Sequence, residues 1–550
     1  MQQIRIPDRD VIGDTEMSNG KANGEEYGGM QEQIEKMEHL LECRQALKEL
    51  LEADPYRPKY HFLPPGGWLN DPTGAIFWDD RYHLFYEYYP EAAYQVFEHE
   101  NQRVEHLKIC WGHASSRDLV HWVHHPIALK PTDPDLDIKL CASGSAVDND
   151  GVATIIYFGI PGGMCIATAV DGGLDRWTKH PHPVVPIPKP GEPNHGKYGV
   201  IDPCMWKQGE YWYALGGGAR DPDGGDAASL FKSKDTIHWE FVHQFYKSDR
   251  SWTTATEDCA CPDFFPIGDK HMLLFMSHDT GVQYYLGKLK NESFFPENHG
   301  RMNWPGGQLN APKTMIDKQG RRLMWAWACE ARTRDTQRAA GWAGVLSLPR
   351  VLDLDADGDL LIEPAPELEI LRHNRREKND IVLKPDADCT LPDFGGDCLE
   401  LAISFDPGTA EEIGIRVRRS PDGVEQTSVS FDLTAGKMII DTSKSSLRDD
   451  ILQPWPRTWS TLFKDPSIYL DEMQHVQIQE APFRLGAGEH LELRVFLDRS
   501  ILEAFANRRQ CMTQRIYPSM PDSLDMAVFA RGGEARVLSI VAWDMDSIGL

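Results

Sequence analysis

Residues 66–89 read GGWLNDPTGAIFWDDRYHLFYEYY, and this stretch decides the fold of the chain. Its two apolar and aromatic runs lie on either side of the turn residues Asp79 and Asp80, a pattern that predicts an antiparallel β-hairpin. Four more aromatic-rich strands follow turns in the same way, roughly 50 to 70 residues apart, and such a repeat is typical of propeller blades. They are DNDGVATIIYFG (148–159), KQGEYWYALGGG (207–218), IGDKHMLLFMSH (267–278) and DKQGRRLMWAWA (317–328).

Three of these hairpins are followed by a second repeat that ends in tryptophan. It reads SSRDLVHW at 115–122, AVDGGLDRW at 169–177 and SKDTIHW at 233–239. A hairpin followed by two further strands makes one blade. A β-sandwich also contains many short strands joined by turns, but the recurring tryptophan pattern favours a five-bladed β-propeller over about residues 60–350.

The two ends of the chain follow other patterns. The first 28 residues are polar and glycine-rich, which predicts disorder, and the next segment carries apolar residues at helical spacing up to Pro55. Short alternating strands near the C-terminus lack the blade repeat and predict a β-sandwich. The predicted fold is all-β, with a disordered tail and N-terminal helix (1–55), a five-bladed β-propeller (56–365) and a C-terminal β-sandwich (366–550).

The net charge of −27 limits which partners the protein can bind, and its 16 tryptophans and 17 tyrosines provide rings that can stack on sugars. Nucleic acid and anionic membrane surfaces repel a chain this acidic. We therefore expect a small carbohydrate substrate, no nucleic acid and no membrane. No segment reaches the roughly 18 apolar residues that a membrane span needs, and the N-terminus shows no secretory signal.

The eleven cysteines are odd in number and scattered, mostly within apolar strands. This usage predicts reduced, buried thiols and a cytoplasmic protein. Cys259 and Cys261 lie close together, but no second pair follows at zinc-site spacing. We therefore expect no metal site and no cofactor.

Three carboxylates precede the first strands of predicted blades: Asp71 in NDPTG, Asp202 in VIDPCMW and Glu257 in TEDCACPDFF. A turn is the simpler explanation of each one alone, because Asn, Asp, Pro and Gly favour turns. In a propeller, however, the first strands of all blades converge on one axis, so these side chains would meet in one funnel. Carboxyls that face a shared cavity, one ionised and one protonated, are what cleavage of a glycosidic bond needs.

HFLPPGGWLNDPTGAIFWDDRYHLFYEYYP resembles the opening motif of glycoside hydrolase family 32, the β-fructofuranosidases. WGHASSRDLVHW, ASGSAV, GWAGVLSLPRVL and LRVFLDRSILEAFANRRQCMTQRIYP are similar to later family segments, in family order. The resemblance implies a five-bladed propeller followed by a β-sandwich, which agrees with the strand pattern. It also implies a retaining hydrolase of β-fructofuranosides such as sucrose or fructo-oligosaccharides, with fructosyl transfer left open.

The resemblance assigns roles by position. Asp71 would be the nucleophile, Glu257 the proton donor that later activates water, and Asp202 a stabiliser of the oxocarbenium-like transition state. The carboxyls of the nucleophile and the acid would lie about 5–5.5 Å apart. Four more residues would contact the sugar: Asn70 and Ser143 through hydrogen bonds, and Trp68 and Trp111 as flat walls, for which packing within the blades is the alternative.

The sequence departs from the family at four places. Ile201 replaces an arginine and offers no hydrogen-bond donor, which favours a different or differently oriented furanoside. Glu87 replaces a glutamine, and the added charge would raise a neighbour's pKa if the two are close. The usual Glu-Cys pair reads EDCACPD, so Asp258 is a second candidate for the acid, while Asp263 is assigned to strand packing. QLNAPK (308–313) alters the fifth blade. Glu87 and Asp258 join the predicted substrate-binding residues.

Two other functions stay open from the sequence. One is hydrolysis of a different furanoside, such as an arabinofuranoside, which the loss of the arginine favours. The other is a non-catalytic, carbohydrate-binding propeller, which would need neither a nucleophile nor an acid. Pairing of the N-terminal helix with a second copy would make a homo-oligomer.

Overall fold

The computed structural model describes residues 45–46, 48–91, 108–220, 225–255, 257–278, 280–451, 454–455 and 474–548. The chain forms two compact units, Met1–Leu50 and Leu51–Leu550. Of the predicted N-terminal helix, residues 45–46 and 48–53 are described and are helical. The predicted disordered tail and the rest of this helix lie outside the described residues.

Five sheets in the second unit, antiparallel except for one parallel pair in blade 1, form the predicted five-bladed propeller. Each predicted hairpin supplies the first two strands of a blade, because its aromatic and β-branched side chains suit a pleated, largely buried sheet. Blade 1 contains β1 (Gly67–Trp78), β2 (Arg81–Tyr89), β3 (Cys110–Ser116), β4 (Trp122–His124) and β20 (Trp342–Ala343). Blade 2 contains β5 (Leu140–Asn149), β6 (Val152–Ile160), β7 (Gly163–Ala169), β8 (Trp177–Lys179) and β9 (Val185–Pro186).

The other three blades repeat this order. Blade 3 contains β10 (Ile201–Gln208), β11 (Tyr211–Arg220), β12 (Asp226–Ser233) and β13 (Trp239–Gln244). Blade 4 contains β14 (Ala260–Ile267), β15 (Lys270–Ser277), β16 (Gly281–Lys290) and β17 (Ser293–Arg301). Blade 5 contains β18 (Leu309–Ile316), β19 (Arg322–Ala328), β21 (Val345–Leu346), β22 (Arg350–Leu354) and β23 (Leu360–Pro364). The first strands β1, β5, β10, β14 and β18 contact one another in a closed ring around the axis.

A late segment of the chain closes the first blade. After the short helix α1 (Arg334–Ala340), β20 pairs in parallel with the start of β1, so that Trp342 lies opposite Gly67. Gly344 follows with a left-handed φ of 79°, and a Cβ at this position would lie 2.1 Å from the carbonyl oxygen of Leu69. Glycine is required here, because any side chain would push β1 away from its closing strand.

The tryptophan repeat is one turn used three times. Each tryptophan begins the fourth strand of its blade, and its indole Nε1 donates to the carbonyl oxygen three residues earlier. That earlier residue has a left-handed backbone in all three blades, which makes the turn tight. The pairs are Trp122 and Leu119 (3.1 Å), Trp177 and Leu174 (2.9 Å), and Trp239 and Thr236 (2.7 Å).

A β-bulge interrupts the first strand of every blade near its start. Two residues of the first strand lie there opposite one residue of the second, which bends the strand and reorients its side chains. The bulges lie between Leu69 and Pro72, Cys141 and Gly144, Ile201 and Cys204, Ala260 and Asp263, and Asn310 and Lys313. Beyond the bulges, the same five strands line a cavity of about 550 Å³.

The remaining strands form the predicted β-sandwich of two six-stranded sheets. Between blade 5 and the sandwich lies the 3₁₀ helix η1 (Pro366–Leu371), and η2 (Pro392–Phe394) follows within the sandwich. In spatial order, the first sheet contains β24 (Arg372–Leu383), β37 (Ala535–Met545), β26 (Cys398–Asp406), β33 (Leu491–Asp498), β34 (Ile501–Ala506) and β35 (Gln510–Arg515). The second contains β25 (Ala387–Thr390), β36 (Asp525–Arg531), β27 (Glu412–Arg419), β28 (Thr427–Asp432), β29 (Lys437–Asp441) and β32 (Ile478–Pro482). A separate pair is made by β30 (Pro454–Trp455) and β31 (Gln474–His475).

A buried ion network joins the propeller to the sandwich. Nδ1 of His61, just before blade 1, lies 2.9 Å from Oδ2 of Asp498, and its Nε2 lies 3.4 Å from Glu503. Arg350 of blade 5 approaches the other oxygen of Glu503 at 2.8 Å. All four side chains are fully buried. Among the described residues, no helix combines the length and apolar character that a membrane span requires.

Candidate active site

The β-bulges in the first strands of the five blades bring together residues that are far apart in the sequence. They carry Asp71, Ser143, Asp202, Cys261 and Ala311 in blades 1 to 5. Ser143 Oγ lies 2.8 Å from Oδ2 of Asp71. The Cys261 thiol lies 3.3 Å from the same oxygen and 3.4 Å from Oδ2 of Asp202. Of the three carboxylates predicted to meet in one funnel, Asp71 and Asp202 therefore lie in this cluster, together with Ser143.

Glu87, on the second strand of blade 1, is the third carboxyl of this cluster. Its Oε1 lies 3.0 Å from Ser143 Oγ, and its Oε2 accepts a 3.1 Å hydrogen bond from the Asn70 amide. Ser143 has one hydroxyl proton and two carboxyl neighbours, so a full hydrogen bond to each requires a proton on one carboxyl. That carboxyl then donates to Ser143 Oγ, while the Ser143 hydroxyl donates to the other.

The electrostatics indicate which carboxyl holds the proton. Burial and the charges of Asp71 and Asp202 raise the pKa of Glu87 well above its usual value. Burial and the Asp202 charge also raise the pKa of Asp71, to about 6, although hydrogen bonds from Ser143 and Cys261 oppose the rise. At neutral pH the arrangement is therefore a protonated Glu87 that donates to Ser143, which in turn donates to an ionised Asp71.

Two cations balance the charge of this cluster. Burial raises the pKa of Asp202, while the charges of Lys313 and His278 oppose the rise. Burial works to lower the pKa of His278, but the charges of Asp258, Asp202 and Asp71 outweigh it and raise this pKa to about 9. Asp258 itself lies 2.7 Å from His278 Nδ1. The predicted residue Asp258 therefore holds a cation close to the cluster.

Glu257 has its contacts within blade 4. Gln283 donates to its Oε2 at 2.7 Å, and Arg301 lies 3.8 Å from its Oε1. Glu257 precedes β14, as the sequence predicts, but the bulge of this strand carries Cys261, preceded by Ala260. In EDCACPD, Glu257 lies three residues before Ala260, where the bulge begins. The sequence does not reveal the register of the bulge, so it could not show which of these residues lies there.

The two predicted tryptophans differ in their surroundings. Trp111 is fully buried, and its indole donates to the carbonyl oxygen of Ala142 at 2.9 Å. A sugar wall at Trp111 is therefore wrong, and the alternative of packing within the blades is correct. Trp68 lies near Trp327 and is 4% exposed. Its Nε1 is buried without a hydrogen-bond partner, as is Oδ1 of Asn70, so both are unsatisfied polar atoms in blade 1.

Three residues of this site were not singled out as site residues by the sequence: Cys261, His278 and Lys313. Cys261 carried a usable signal, because a residue followed by proline stands at the bulges of blades 3, 4 and 5. These residues are Asp202, Cys261 and Ala311, and all have a left-handed φ. Asp263, assigned to strand packing, accepts hydrogen bonds from the backbone and hydroxyl of Thr314, both at 2.7 Å.

The chain matches known proteins over almost its whole length. Residues 61–364 match the N-terminal domain of glycosyl hydrolases family 32, and residues 367–544 match the C-terminal domain. Sucrose-6-phosphate hydrolase of Zymomonas mobilis is 29% identical over 92% of this chain and 95% of its own length. Raffinose invertase of Escherichia coli is also 29% identical, over 92% and 99%.

A solved structure gives the same result. Fructan 1-exohydrolase IIa from Cichorium intybus superposes with a TM-score of 0.76 at 26% identity, covering 90% of this chain and 98% of that one. A variant of that enzyme has been solved in complex with 1-kestose. Models of both family domains match this chain, in order, over the propeller and the sandwich described above. This chain therefore belongs to glycoside hydrolase family 32.

Proposed function

We propose that this protein hydrolyses β-fructofuranosides with retention of configuration, through a covalent glycosyl-enzyme intermediate. The observation that carries the proposal is the buried series Asp71, Ser143 and Glu87, in which one hydroxyl lies 2.8 Å from the Asp71 carboxyl and 3.0 Å from the Glu87 carboxyl. The names of the relatives, which act on sucrose phosphate, raffinose and fructan, support the substrate class. Transfer of the fructosyl unit to a second sugar would share the same first step.

The mechanism uses the two carboxyls in turn. An Asp71 oxygen forms a bond to the anomeric carbon while the glycosidic carbon–oxygen bond breaks, and Glu87 gives its proton to the departing oxygen. Water then attacks the same carbon and passes a proton to Glu87, and Asp71 leaves as a carboxylate. Asp202 supplies negative charge beside the oxocarbenium-like transition states.

Glu87 and Glu257 are the two candidates for the proton donor. The family resemblance supports Glu257. The contacts favour Glu87, because one hydroxyl links it to Asp71, as a carboxyl pair about 5–5.5 Å apart would allow. The hydrogen bonds of Glu257 that are described go to Gln283 and Thr254 of its own blade region. We therefore assign the proton donor to Glu87 and keep Glu257 as the alternative.

Product analysis tests the substrate class. The purified protein is incubated with sucrose, sucrose 6-phosphate, 1-kestose, levan-type oligosaccharides and an aryl arabinofuranoside. We expect free fructose or its phosphate, or a fructosyl-transfer product. Cleavage of the arabinofuranoside alone would instead favour the second candidate function, which rests on Ile201, whose side chain lies against Gly218 and has no donor. Sugar binding without any cleavage would favour a carbohydrate-binding propeller.

Replacing Glu87 with glutamine is expected to lower kcat on sucrose by roughly 10²–10⁴-fold, because the leaving oxygen loses its proton donor. An aryl fructoside with an acidic phenol needs little protonation, so its kcat/KM, which reports the first step, should fall much less. Its kcat should still fall, because Glu87 also takes the proton of water in the second step. Glu257→Gln is the matched variant, and it should show no such dependence on the leaving group. If Glu257→Gln shows the dependence and Glu87→Gln does not, the proton donor is Glu257.

The pH profile tests the state of Asp71. Because its pKa is about 6, kcat/KM should rise with pH as Asp71 loses its proton and should level off above this value. Ser143→Ala removes a hydrogen bond that favours the charged form, so this acidic limb should move to higher pH. Ser145→Ala, two residues along the same strand, is the control and should leave the limb in place. An unmoved limb in Ser143→Ala would contradict the assignment.

Several finer proposals rest on the sequence. Eight of the ten described cysteines are buried, a usage that supports a reducing, cytoplasmic location. We also retain the boundaries 1–55, 56–365 and 366–550 as proposed domains. Association through the N-terminal helix stays a prediction, which light scattering of the full chain and of a chain lacking residues 1–44 would check.

A further inference from the structure

Away from the carboxyl cluster, three histidine rings are stacked where blade 1 meets blade 2. His83 lies on β2, His113 on β3, and His125 directly follows β4. The ring centroids of His113 and His125 are 4.3 Å apart, and those of His83 and His113 are 5.2 Å apart. Asp175, in the turn between β7 and β8 of blade 2, faces this stack.

Two ring nitrogens and one carboxylate oxygen converge in this cluster. Nδ1 of His125 lies 2.8 Å from Oδ1 of Asp175, and Nδ1 of His113 lies 3.4 Å from the same oxygen. Around a tetrahedral ion with bonds of about 2.0–2.1 Å, donor atoms lie about 3.3 Å apart. The distance from His113 Nδ1 to Asp175 Oδ1 therefore already matches that of two ligands of one ion. The distance from His125 Nδ1 to the same oxygen would have to lengthen by about half an ångström.

The opposite nitrogen of each ring is already held. Nε2 of His113 lies 2.9 Å from Nδ1 of His83, and Nε2 of His125 lies 2.7 Å from Ser115 Oγ. Arg81 also donates to Ser115 Oγ, at 3.0 Å. Such outer contacts fix the orientation of a metal-binding imidazole and direct its other nitrogen at the ion. Here they direct both Nδ1 atoms at Asp175.

His113 shows why the cluster suits a cation. Its side chain is fully buried, and its Nδ1 has no hydrogen-bond partner. If its Nε2–H donates to His83, a bare nitrogen lone pair faces the Asp175 carboxylate, and a metal ion would bind both.

We propose that His113, His125 and Asp175 bind a divalent transition-metal ion of the zinc type, through two Nδ1 atoms and one carboxylate oxygen. Two imidazoles and a carboxylate suit this class of ion better than Ca²⁺ or Mg²⁺, which prefer oxygen ligands. Asp175 is 39% exposed, so its side of the site is open to entry and to water as a further ligand. The ion would join blade 1 to blade 2 and would have a structural role.

Metal binding to the full-length protein tests the proposal. Chelator-treated protein is titrated with Zn²⁺ by calorimetry and with Co²⁺ by absorption, and its melting temperature is measured with and without Zn²⁺. We expect one ion per chain, a nitrogen- and oxygen-ligated Co²⁺ spectrum without a thiolate band, and a melting temperature that Zn²⁺ raises. Activity plays no part in these readouts.

Two variants locate the site. Asp175→Asn removes the half-exposed ligand and should weaken binding at least as much as the roughly 10–100-fold that loss of an outer-shell partner costs. His121→Gln removes an exposed histidine that also pairs with an aspartate, at 2.8 Å from Asp118, and should bind as the parent does. Absence of stoichiometric binding in the parent, or unchanged binding in Asp175→Asn with an unchanged circular-dichroism spectrum, would overturn the proposal.

Discussion

Asp71→Asn is expected to lower kcat on the preferred fructoside by at least about 10⁴-fold, as removal of a covalent nucleophile does elsewhere. Asparagine has the same shape as aspartate and can still accept a hydrogen bond from Ser143. The fold, and the sugar contacts predicted for Asn70 and Trp68, should therefore be retained. Calorimetry with the uncleaved sugar measures binding, and release of fructose measures turnover.

The matched control is Asp150→Asn, at an exposed turn where the backbone φ of 52° suits asparagine equally well. It should turn over substrate as the parent does. If Asp71→Asn keeps a tenth or more of the parent activity, Asp71 is not the nucleophile. If parent and variant bind sugar equally and neither releases fructose, the protein is a binding propeller.

Arg350→Ala is expected to lower the free energy of unfolding by about 3–5 kcal/mol, because it leaves the fully buried Glu503 carboxylate without its guanidinium partner. This loss of stability arises at the contact between propeller and sandwich, where the backbone N–H of Leu348 and the ring of His61 also lie against Glu503. Urea unfolding followed by tryptophan fluorescence measures it. The double variant Arg350→Ala with Glu503→Ala should lose less than the sum of the two single variants.

Arg176→Ala is the control for the arginine deletion. Arg176 pairs with Asp171 at 2.9 Å, but its side chain is 74% exposed, so water replaces the ion pair at little cost. Its loss should be about 0–1 kcal/mol. If Arg350→Ala and Arg176→Ala lower the free energy of unfolding equally, the buried ion network between propeller and sandwich stabilises the protein no more than an exposed ion pair does.

The parts of this fold that local sequence determines were predictable. The five hairpins were predicted because each consists of adjacent strands around a turn, with side chains that suit a buried sheet. The tryptophan turn was recognised as a repeat, although its hydrogen bond became visible in the structure. Asp71 was identified because Asn-Asp-Pro places a carboxylate at the start of a first strand.

The parts that depend on register were not predictable. Glu257 was expected to enter the funnel, but its described contacts lie in the blade 4 region, and the bulge of this blade carries Cys261. One extra residue in a strand changes which side chain faces inward. Glu87 was recognised as an added charge, but its link through Ser143 to Asp71 depends on the packing of two blades. The proposed metal ligands come from three separate segments of the chain, so no spacing motif in the sequence predicts them. They are His113, His125 and Asp175.

The closing strand also sets an order of events during synthesis. Trp342 and Ala343 complete blade 1 by pairing with β1, which contains Asp71. At about 5–20 residues per second, the ribosome adds Trp342 roughly 15–50 s after Asp71. For that interval the nascent first blade has an unpaired strand edge, and such edges template aggregation. Blade 1 is thus begun first but completed only after blades 2 to 4 have been made. A chaperone that covers this edge would raise the yield of folded protein.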